Sequence, residues 1–200
     1  MEEDRLDHLA LTNVDDSVLV VVDVQESFLK KLPEEQVRPL VNRIGWIVRM
    51  AVKLSVPIIV TGEDIPELGA TVSEVAEGFP EGTQQHNKMT FGLTGEPSIL
   101  SAVEGTSRKS AVIVGLETDV CVMQSALGLR ARGFRVVVLA DATASPGPCH
   151  AAGILRMQDA GVIISTVKGT FYEWVRSLGF ADENLDPEIW DGERPDGVFL

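Results

Sequence analysis

The chain has 200 residues, 44% of them hydrophobic and 24% charged, which is the composition of one globular domain with a well-buried core. Its 30 acidic and 17 basic residues give a formal net charge of -13, which argues against nucleic acid and anionic membranes as partners, since both bind basic surfaces. Two cysteines, an acidic N-terminus in place of a basic leader, and no apolar run of transmembrane length predict a cytoplasmic protein with free thiols.

Short apolar runs alternate along the chain with longer segments of helical spacing. The apolar runs predict strands over residues 18–24, 56–61, 111–115, 134–140 and 162–167. The helical spacing predicts helices over residues 37–54, from 96 onward, 118–132, 150–160 and 171–178. Such an alternation predicts an α/β fold with a mostly parallel central sheet and right-handed crossovers.

Residues 62–95 show no regular spacing and are rich in Gly, Glu and Thr. An irregular stretch of this length is unusual in a compact domain, which indicates a functional role. It contains Lys88, which on its own is most simply a solvated surface lysine. Beside a carboxylate and a thiol, its ammonium would instead hold the carboxylate ionised and stabilise negative charge on sulfur.

Polar residues follow several of the predicted strands, where a parallel sheet binds its ligands. They are Asp23, Glu63-Asp64, the Gly115–Cys121 turn and Asp141. Asp23 ends an almost wholly apolar run, and burying an unpaired carboxylate costs on the order of several kcal/mol. It is therefore either a general base with a charged partner or a carboxylate that caps the following segment.

Cys121 lies at the start of a predicted helix, directly after the strand 111–115. The unpaired N–H groups and the positive dipole end of a helix N-terminus favour a thiolate at such a position. Without partners, the same cysteine would be a small buried hydrophobe. Cys149 follows a Ser-Pro-Gly-Pro turn, has no comparable setting and is predicted to be structural.

Other catalytic motifs are missing from the sequence. It contains no Gly-x-Gly-x-x-Gly and no Walker A lysine, so nucleotide binding has no motif to support it. His8, His86 and His150 lack the spacing of metal ligands, which argues against a structural zinc site. A Cys–His dyad with His86 or His150 stays open but has no papain-like signature behind it.

Six segments, in chain order, carry a resemblance to a known family. They are Val20 to Gln25 with Phe28, Val60 to Glu63, Asn87 to Phe91, Val114 to Val122, Asp141 to Ser145, and Arg156-Met157 with Ala160-Gly161-Val162. On these segments the chain resembles the isochorismatase-like cysteine hydrolase superfamily, over about residues 16–175. Within it, residues 61–72 are similar to the small isochorismatase-domain-containing proteins.

The resemblance implies a three-layer Rossmann-like fold and a catalytic triad of Asp23, Lys88 and Cys121. It also implies a cis peptide at Leu116–Glu117, with the backbone N–H groups of Glu117 and Cys121 turned inward as an oxyanion hole. No cofactor is implied. Relatives of this kind are commonly dimers or tetramers, so the resemblance implies a homo-oligomer.

The chain departs from two subgroups of the superfamily. Nicotinamidases share the triad but carry an Asp-x-His metal set, whereas the corresponding region here is Glu63-Asp64-Ile65-Pro66. The sequence therefore argues against nicotinamide as substrate and predicts no catalytic metal. Isochorismatases lack the cysteine nucleophile, so Cys121 argues against vinyl-ether hydrolysis and for an amide-type substrate.

The hypothesis from sequence is a cysteine hydrolase that cleaves a small amide or related C–N bond through a thioester. The predicted pocket residues are Gln25, Phe28, Phe91, Leu116 and Thr118. Glu117 either faces this pocket and selects a polar substrate or caps the helix, and the cap is favoured.

Two other function classes stay open at this point. One is a catalytically idle binding protein on the same fold, and the other is a thiol-redox protein with Cys149 as its resolving cysteine. The predicted partner is a small molecule. The predicted organisation is one isochorismatase-like domain over residues 1–200, with a core at about 16–175 and an acidic segment at 181–200.

Overall fold

The computed structural model describes residues 11–185, so the acidic residues 2–4 and most of the acidic segment 181–200 lie outside the described part. Six strands form one sheet: β1 Ser17–Val22, β2 Ile58–Glu63, β3 Gln85–Lys88, β4 Ser110–Leu116, β5 Arg135–Ala144 and β6 Ile163–Ser165. Their order is β3-β2-β1-β4-β5-β6, and every neighbouring pair is parallel. This confirms the prediction of an α/β fold with a parallel central sheet.

The helices lie between these strands along the chain. They are α1 Glu26–Leu29, α2 Glu34–Lys53, α3 Ile65–Leu68, α4 Ser73–Ala76, α5 Pro97–Gly105, α6 Met123–Arg130, α7 Cys149–Asp159, α8 Val167–Val175 and α9 Leu178–Asn184. A π-helical turn, Thr118–Val122, precedes α6, and short 3-10 turns cover Val14–Asp16 and Leu93–Gly95. No helix within residues 11–185 is long and apolar enough to cross a membrane.

Two apolar cores, one on each face of the sheet, make the fold three-layered. Side chains alternate between the faces of a strand, so Leu19 and Val21 of β1 belong to one core while Val18, Val20 and Val22 belong to the other. The first core includes residues of α2 and α8 and the second includes residues of α5, α6 and α7. Every residue of β1 and β4 is buried, as their β-branched runs predict for central strands.

The structure differs from the predicted elements in two places that matter for the site. The sequence predicts that residues 62–95 are irregular, but Gln85–Lys88 forms the edge strand β3. Its polar sequence has no strand pattern, and pairing with β2 imposes the extended conformation. The helix predicted over residues 118–132 instead begins as the π-helical turn and continues as α6.

Candidate active site

Four polar side chains lie together at the edge where adjacent strands end. Asp23 follows β1, and Glu63 and Lys88 are the last residues of β2 and β3. Cys121 lies in the π-helical turn after β4. Glu63 and Lys88 are paired residues in the β2–β3 register, and β1 and β4 are the next two strands of the sheet. The parallel order therefore brings the four residues to one place.

The ammonium of Lys88 bridges the carboxylate and the thiol that the sequence predicts as catalytic. Its Nζ lies 2.6 Å from Asp23 Oδ2 and 3.5 Å from Cys121 Sγ. Nζ also donates a hydrogen bond of 3.1 Å to the carbonyl oxygen of Thr90, which fixes the ammonium between its two partners. Cys121 is 1% exposed, and the other two residues are fully buried. The geometry is that of a desolvated, charge-paired site.

Asp23 occupies an unusual backbone conformation, with φ at +49°, in the left-handed region that non-glycine residues rarely adopt. Its N–H donates to the carbonyl oxygen of Thr61 at 3.1 Å, and the Thr61 hydroxyl donates to Asp23 Oδ1 at 2.9 Å. Helix α1 is capped by Gln25 without a side-chain hydrogen bond, so Asp23 does not serve as its cap. A buried carboxylate that is held in a strained backbone conformation and paired with an ammonium is typical of a functional residue.

The turn that carries Cys121 depends on a close approach between β4 and β1. Gly115 has φ +121° and lies at a register shift between β4 and β5. A Cβ at this position would lie 1.8 Å from the carbonyl oxygen of Val22. Shortly after Gly115, the peptide bond between Leu116 and Glu117 is cis, and Leu116 is fully buried. Only glycine therefore permits the backbone path into the turn.

We expect Gly115→Ala to destabilise the fold by about 3 kcal/mol and to reduce the reactivity of Cys121, because an added methyl group would push β4 away from β1. Urea unfolding measures the first effect and thiol labelling the second. Gly105→Ala is the matched control, since an added Cβ there meets no atom within 4 Å. Equal stability of the two variants would show that the close approach of Gly115 to Val22 does not require glycine at this position.

The protonation of the site differs from the sequence-based expectation of a helix-stabilised thiolate. Burial, then the negative charge of Asp23, raise the pKa of the Cys121 thiol well above its ordinary value, against the opposing effect of Lys88. Burial also raises the pKa of Asp23, although Lys88 opposes this shift. For Lys88, burial lowers the pKa, but the attraction of Asp23 outweighs it and the pKa is raised. The resting site therefore holds a protonated thiol beside an ammonium.

Glu63 belongs to this group but was not among the predicted site residues. Its Oε2 accepts a hydrogen bond from Cys121 Sγ at 3.2 Å and lies 3.5 Å from Lys88 Nζ. Two signals point to it in the sequence, namely its position shortly after the predicted strand 56–61 and its place in a family segment. Its contact with the sulfur depends on the distance between β2 and β4, which the sequence does not specify.

Glu117 pairs with another residue instead of capping the turn. It occupies the N-cap position without a side-chain cap hydrogen bond, so the favoured cap interpretation is wrong. Its carboxylate lies 2.9 Å from Lys31 Nζ, and its side chain is 15% exposed. The Lys31 ammonium also lies 4.5 Å from the centroid of the Phe28 ring.

Three of the predicted pocket residues are held by structural contacts. Gln25 is fully buried, and its amide donates to the carbonyl oxygens of Glu63 and Gly69. Phe28 is packed in the core beside α2, and buried Thr118 shares a 2.9 Å hydrogen bond with His150 Nδ1. Phe91 differs, because it is 55% exposed and follows Lys88 closely in the chain.

Cys149 and Asp141 do not belong to the group formed by Asp23, Glu63, Lys88 and Cys121. Cys149 is exposed as the first residue of α7, so the structural role that the sequence predicts for it does not come from burial in the core. Asp141 accepts a 2.8 Å hydrogen bond from the N–H of Val167 through Oδ1 and so anchors the start of α8. The sequence predicts that Asp141 follows its strand, but it lies within β5, which continues to Ala144, and its carboxylate has a structural role.

Asp23, Glu63 and Cys121 also form the kind of donor set that holds a cation. Their ligand atoms lie within 4.8 Å of one another. The ammonium of Lys88, however, already lies beside all three side chains, so a metal ion would have to displace it. No histidine of residues 11–185 joins this set. We therefore assign the positive charge of the site to Lys88.

Comparison with known proteins gives a consistent family match. Residues 17–169 match the isochorismatase domain model. The chain is 31% identical over 167 residues to the secreted isochorismatase effector Isc1 of Phytophthora sojae, covering 82% of this chain and 79% of that protein. It is 29% identical over 161 residues to isochorismatase domain-containing protein 2 of Bos taurus, covering 80% and 75% of the two chains.

Among solved structures, the fold is similar to that of the MAR1 ribonuclease from Caenorhabditis elegans. The TM-score is 0.81 at 27% sequence identity, over 96% of this chain and 98% of that one. Together these matches confirm the resemblance that the sequence motifs predict, including the resemblance to isochorismatase domain-containing proteins.

Proposed function

Because the chain belongs to the isochorismatase family, we propose that it is a cysteine hydrolase that cleaves a small amide or related C–N bond through a thioester on Cys121. One observation carries the proposal. A single buried ammonium, that of Lys88, lies 2.6 Å from the Asp23 carboxylate and 3.5 Å from the Cys121 sulfur. A base, a nucleophile and a charge that holds both in place are what covalent acyl transfer requires.

The first step is a proton transfer from Cys121 to Asp23. The thiol is protonated at rest because burial and Asp23 raise its pKa, so a nearby base has to accept its proton as attack begins. A carboxylate oxygen of Asp23 lies within 4.8 Å of Sγ. Lys88 stays charged throughout, and its ammonium compensates the negative charge that moves from Asp23 to sulfur.

The second step forms the acyl-enzyme. The thiolate attacks the carbonyl carbon, the C–S bond forms, and the π electrons of the carbonyl move to its oxygen. The backbone N–H groups of Glu117 and Cys121 are proposed to donate to this oxyanion. When the carbonyl re-forms, the C–N bond breaks, and the proton held by Asp23 passes to the leaving nitrogen.

The last step is hydrolysis of the thioester. Water attacks the acyl carbon and gives a proton to Asp23, which now acts as the base. The C–S bond breaks, the carboxylic acid leaves, and the proton on Asp23 returns to the Cys121 thiolate. The cycle needs no redox step, and it ends in the protonation state in which it began.

The alternative functions have less support. The thiol-redox hypothesis needs a resolving cysteine, but Cys149 is exposed at the start of α7 whereas Cys121 is 1% exposed in the buried group. The solved relative from Caenorhabditis elegans is called a ribonuclease. A polyanionic substrate fits poorly with a chain of net charge -13 and a site that contains two carboxylates.

The remaining parts of the proposal concern the setting of the enzyme. We propose a cytoplasmic homo-oligomer with one hydrolase domain, with Phe91 as a side chain that meets the substrate. The free thiols of Cys121 and Cys149 support a reducing compartment. Phe91 and Met89 follow Lys88 in the chain and are 55% and 69% exposed, so their apolar side chains are accessible to a substrate or a second subunit.

A turnover screen tests the proposal. A panel of small amides and ureides is incubated with the wild-type chain, with Cys121→Ala and with Cys149→Ala, and the released amine is assayed. We expect at least one compound to be cleaved by the wild type and by Cys149→Ala, with a loss of about a thousandfold or more in Cys121→Ala. Equal cleavage by all three proteins would refute a thioester on Cys121.

A further inference from the structure

Glu63 is the member of the four-residue group that faces the solvent. Its side chain is 21% exposed, whereas the side chains of Asp23 and Lys88 are 0% exposed and Cys121 is 1% exposed. Its Oε2 nevertheless lies 3.2 Å from the sulfur. A molecule that approaches Cys121 from the exposed side of this group therefore meets the Glu63 carboxylate beside the nucleophile.

The backbone around Glu63 is fixed by the buried side chain of Gln25. Gln25 Oε1 accepts a hydrogen bond from the N–H of Glu63 at 2.9 Å, and Nε2 donates to the carbonyl oxygen of Glu63 at 2.8 Å. The next residue, Asp64, donates its N–H to the carbonyl oxygen of Lys88 at 3.1 Å. The Glu63 carboxylate thus projects from a rigid position, as a recognition group requires.

The charges of the group are not balanced. Two carboxylates, those of Asp23 and Glu63, face the single ammonium of Lys88. Asp23 forms the short 2.6 Å pair, while Glu63 lies at 3.5 Å and hydrogen-bonds the neutral thiol. With both carboxylates ionised and the thiol neutral, the group carries one more negative than positive charge, and the more weakly paired carboxylate is that of Glu63, which faces outward.

We propose that Glu63 is the substrate-recognising residue of this site and that it selects small amides with a cationic nitrogen close to the scissile carbonyl. This inference rests on the proposed hydrolytic function. A nitrogen that donates to Oε2 at about 2.8 Å would lie about one or two bonds from a carbonyl carbon in contact with the sulfur. An α-ammonium or amidinium group on the acyl side satisfies this distance.

Recognition by Glu63 also changes the nucleophile. In the free enzyme the carboxylate accepts the hydrogen bond from Sγ, which keeps the proton on sulfur. A bound cation takes over that oxygen and neutralises its charge, so the thiol loses a partner that favours its protonated form. The proton is then free to pass to Asp23. Only a substrate of the correct charge would activate the thiol in this way.

Charged thiol reagents test the proposal without knowledge of the substrate. The probes are the 2-aminoethyl and 2-sulfonatoethyl methanethiosulfonates, which are of similar size and opposite charge. The rates at which they modify Cys121 and exposed Cys149 are measured at neutral pH by peptide-resolved mass spectrometry. Cys149 serves as an internal reference. The ratio of its modification rates by the cationic and the anionic reagent reports the electrostatic potential that the net negative charge of the protein produces at its surface.

We expect the cation-to-anion ratio at Cys121 to exceed the ratio at Cys149 by about tenfold or more in the wild type. In Glu63→Gln this excess should fall to about twofold or less, while Glu63→Asp, which keeps the charge, should retain most of it. Asp64→Asn is the matched control: it removes a neighbouring carboxylate outside the group and should leave the ratio unchanged. A ratio that is the same in the wild type and Glu63→Gln, or no labelling of Cys121 by either reagent, would overturn the proposal.

The labelling experiment and the amide screen test different claims, so their outcomes can be told apart. If the wild type cleaves amides, Cys121→Ala does not, and the labelling shows no charge preference, then only the role of Glu63 is wrong. If Cys121→Ala cleaves amides as fast as the wild type, the hydrolytic mechanism is wrong whatever the labelling shows.

Discussion

Replacement of Lys88 by methionine is expected to abolish hydrolysis and to lower the free energy of unfolding by about 3–5 kcal/mol. Methionine has a similar length but carries no charge, so the fully buried Asp23 carboxylate would lose its 2.6 Å partner. Lys88 is itself fully buried, and its ammonium also contacts Cys121 and Thr90. No other change of one residue in the site removes as many charge-assisted contacts. Urea unfolding and amide turnover measure the two effects.

The loss of stability in Lys88→Met should depend on pH. Without the ammonium, burial raises the pKa of Asp23 further above its ordinary value near 3.8, so the folded protein holds a proton that the unfolded chain releases. The stability that protonation of Asp23 contributes to Lys88→Met is therefore fully present below about pH 3.8, and it is lost as the pH rises through the raised pKa of Asp23. The difference from the wild type should grow from acidic to neutral pH.

Lys30→Met is the matched control for this variant. Lys30 forms an ion pair of 3.3 Å with Glu26, but the two side chains are 71% and 63% exposed. Such a pair contributes about 0.5 kcal/mol or less, because water screens it. If Lys88→Met lowered the free energy of unfolding no more than Lys30→Met, the buried ion pair with Asp23 would contribute no more to stability than an exposed pair.

The second large effect is expected from Asp23→Asn, which should reduce amide turnover by about 10²–10⁴-fold while the protein stays folded. Asparagine tolerates the positive φ of +49° at this position. Its side-chain oxygen can accept from the Lys88 ammonium, and its amide N–H can donate to the Thr61 hydroxyl oxygen. It cannot accept a proton from Cys121. The measurement is turnover of the amide found in the screen, with circular dichroism as the test of folding.

Asp141→Asn is the control for Asp23→Asn, because it removes a carboxylate that lies within β5 and outside the four-residue group. Asp141 is also a partly buried carboxylate with a raised pKa, for which burial is the main cause. Its Oδ1 accepts from the N–H of Val167, a role that an amide oxygen can keep. Turnover by Asp141→Asn should stay within about twofold of the wild type. Equal losses in the two variants would mean that Asp23 has no special part in proton transfer.

The sequence predicts well which strands carry the site, because central strands are recognisable from their continuous apolar, β-branched runs. The β-branched runs that end at Asp23 and precede Cys121 are buried on both faces, and strands of this kind place their following residues at one edge. The approximate positions of Asp23 and Cys121 follow from that rule. The family motifs then add Lys88, which no local pattern identifies.

The contacts between strands are what the sequence does not predict. Strand β3, which carries Lys88, has the polar sequence Gln85-His86-Asn87-Lys88 and becomes extended only by pairing with β2. The hydrogen bond between Glu63 and Cys121 likewise depends on the spacing of separate strands. Such distances arise from tertiary packing, which overrides local propensity.

The charge state of the Cys121 thiol is the clearest example of a property that the local sequence does not predict. A helix N-terminus alone predicts a thiolate at Cys121, but burial and the carboxylate of Asp23 raise the pKa of the thiol instead. Neither effect can be read from the residues beside Cys121. The consequence is chemical, because a nucleophile that rests as a thiol has to be activated within the complex with its substrate.

The most direct test of a thioester on Cys121 is to find the acyl group there. The enzyme is mixed with a saturating amide from the screen, quenched in acid within the first turnovers and analysed by peptide-resolved mass spectrometry. We expect the acyl mass on the peptide that contains Cys121, its absence from the peptide that contains Cys149, and its accumulation if thioester hydrolysis is slow. An acyl group on another residue, or full turnover by Cys121→Ala, would contradict the proposed mechanism.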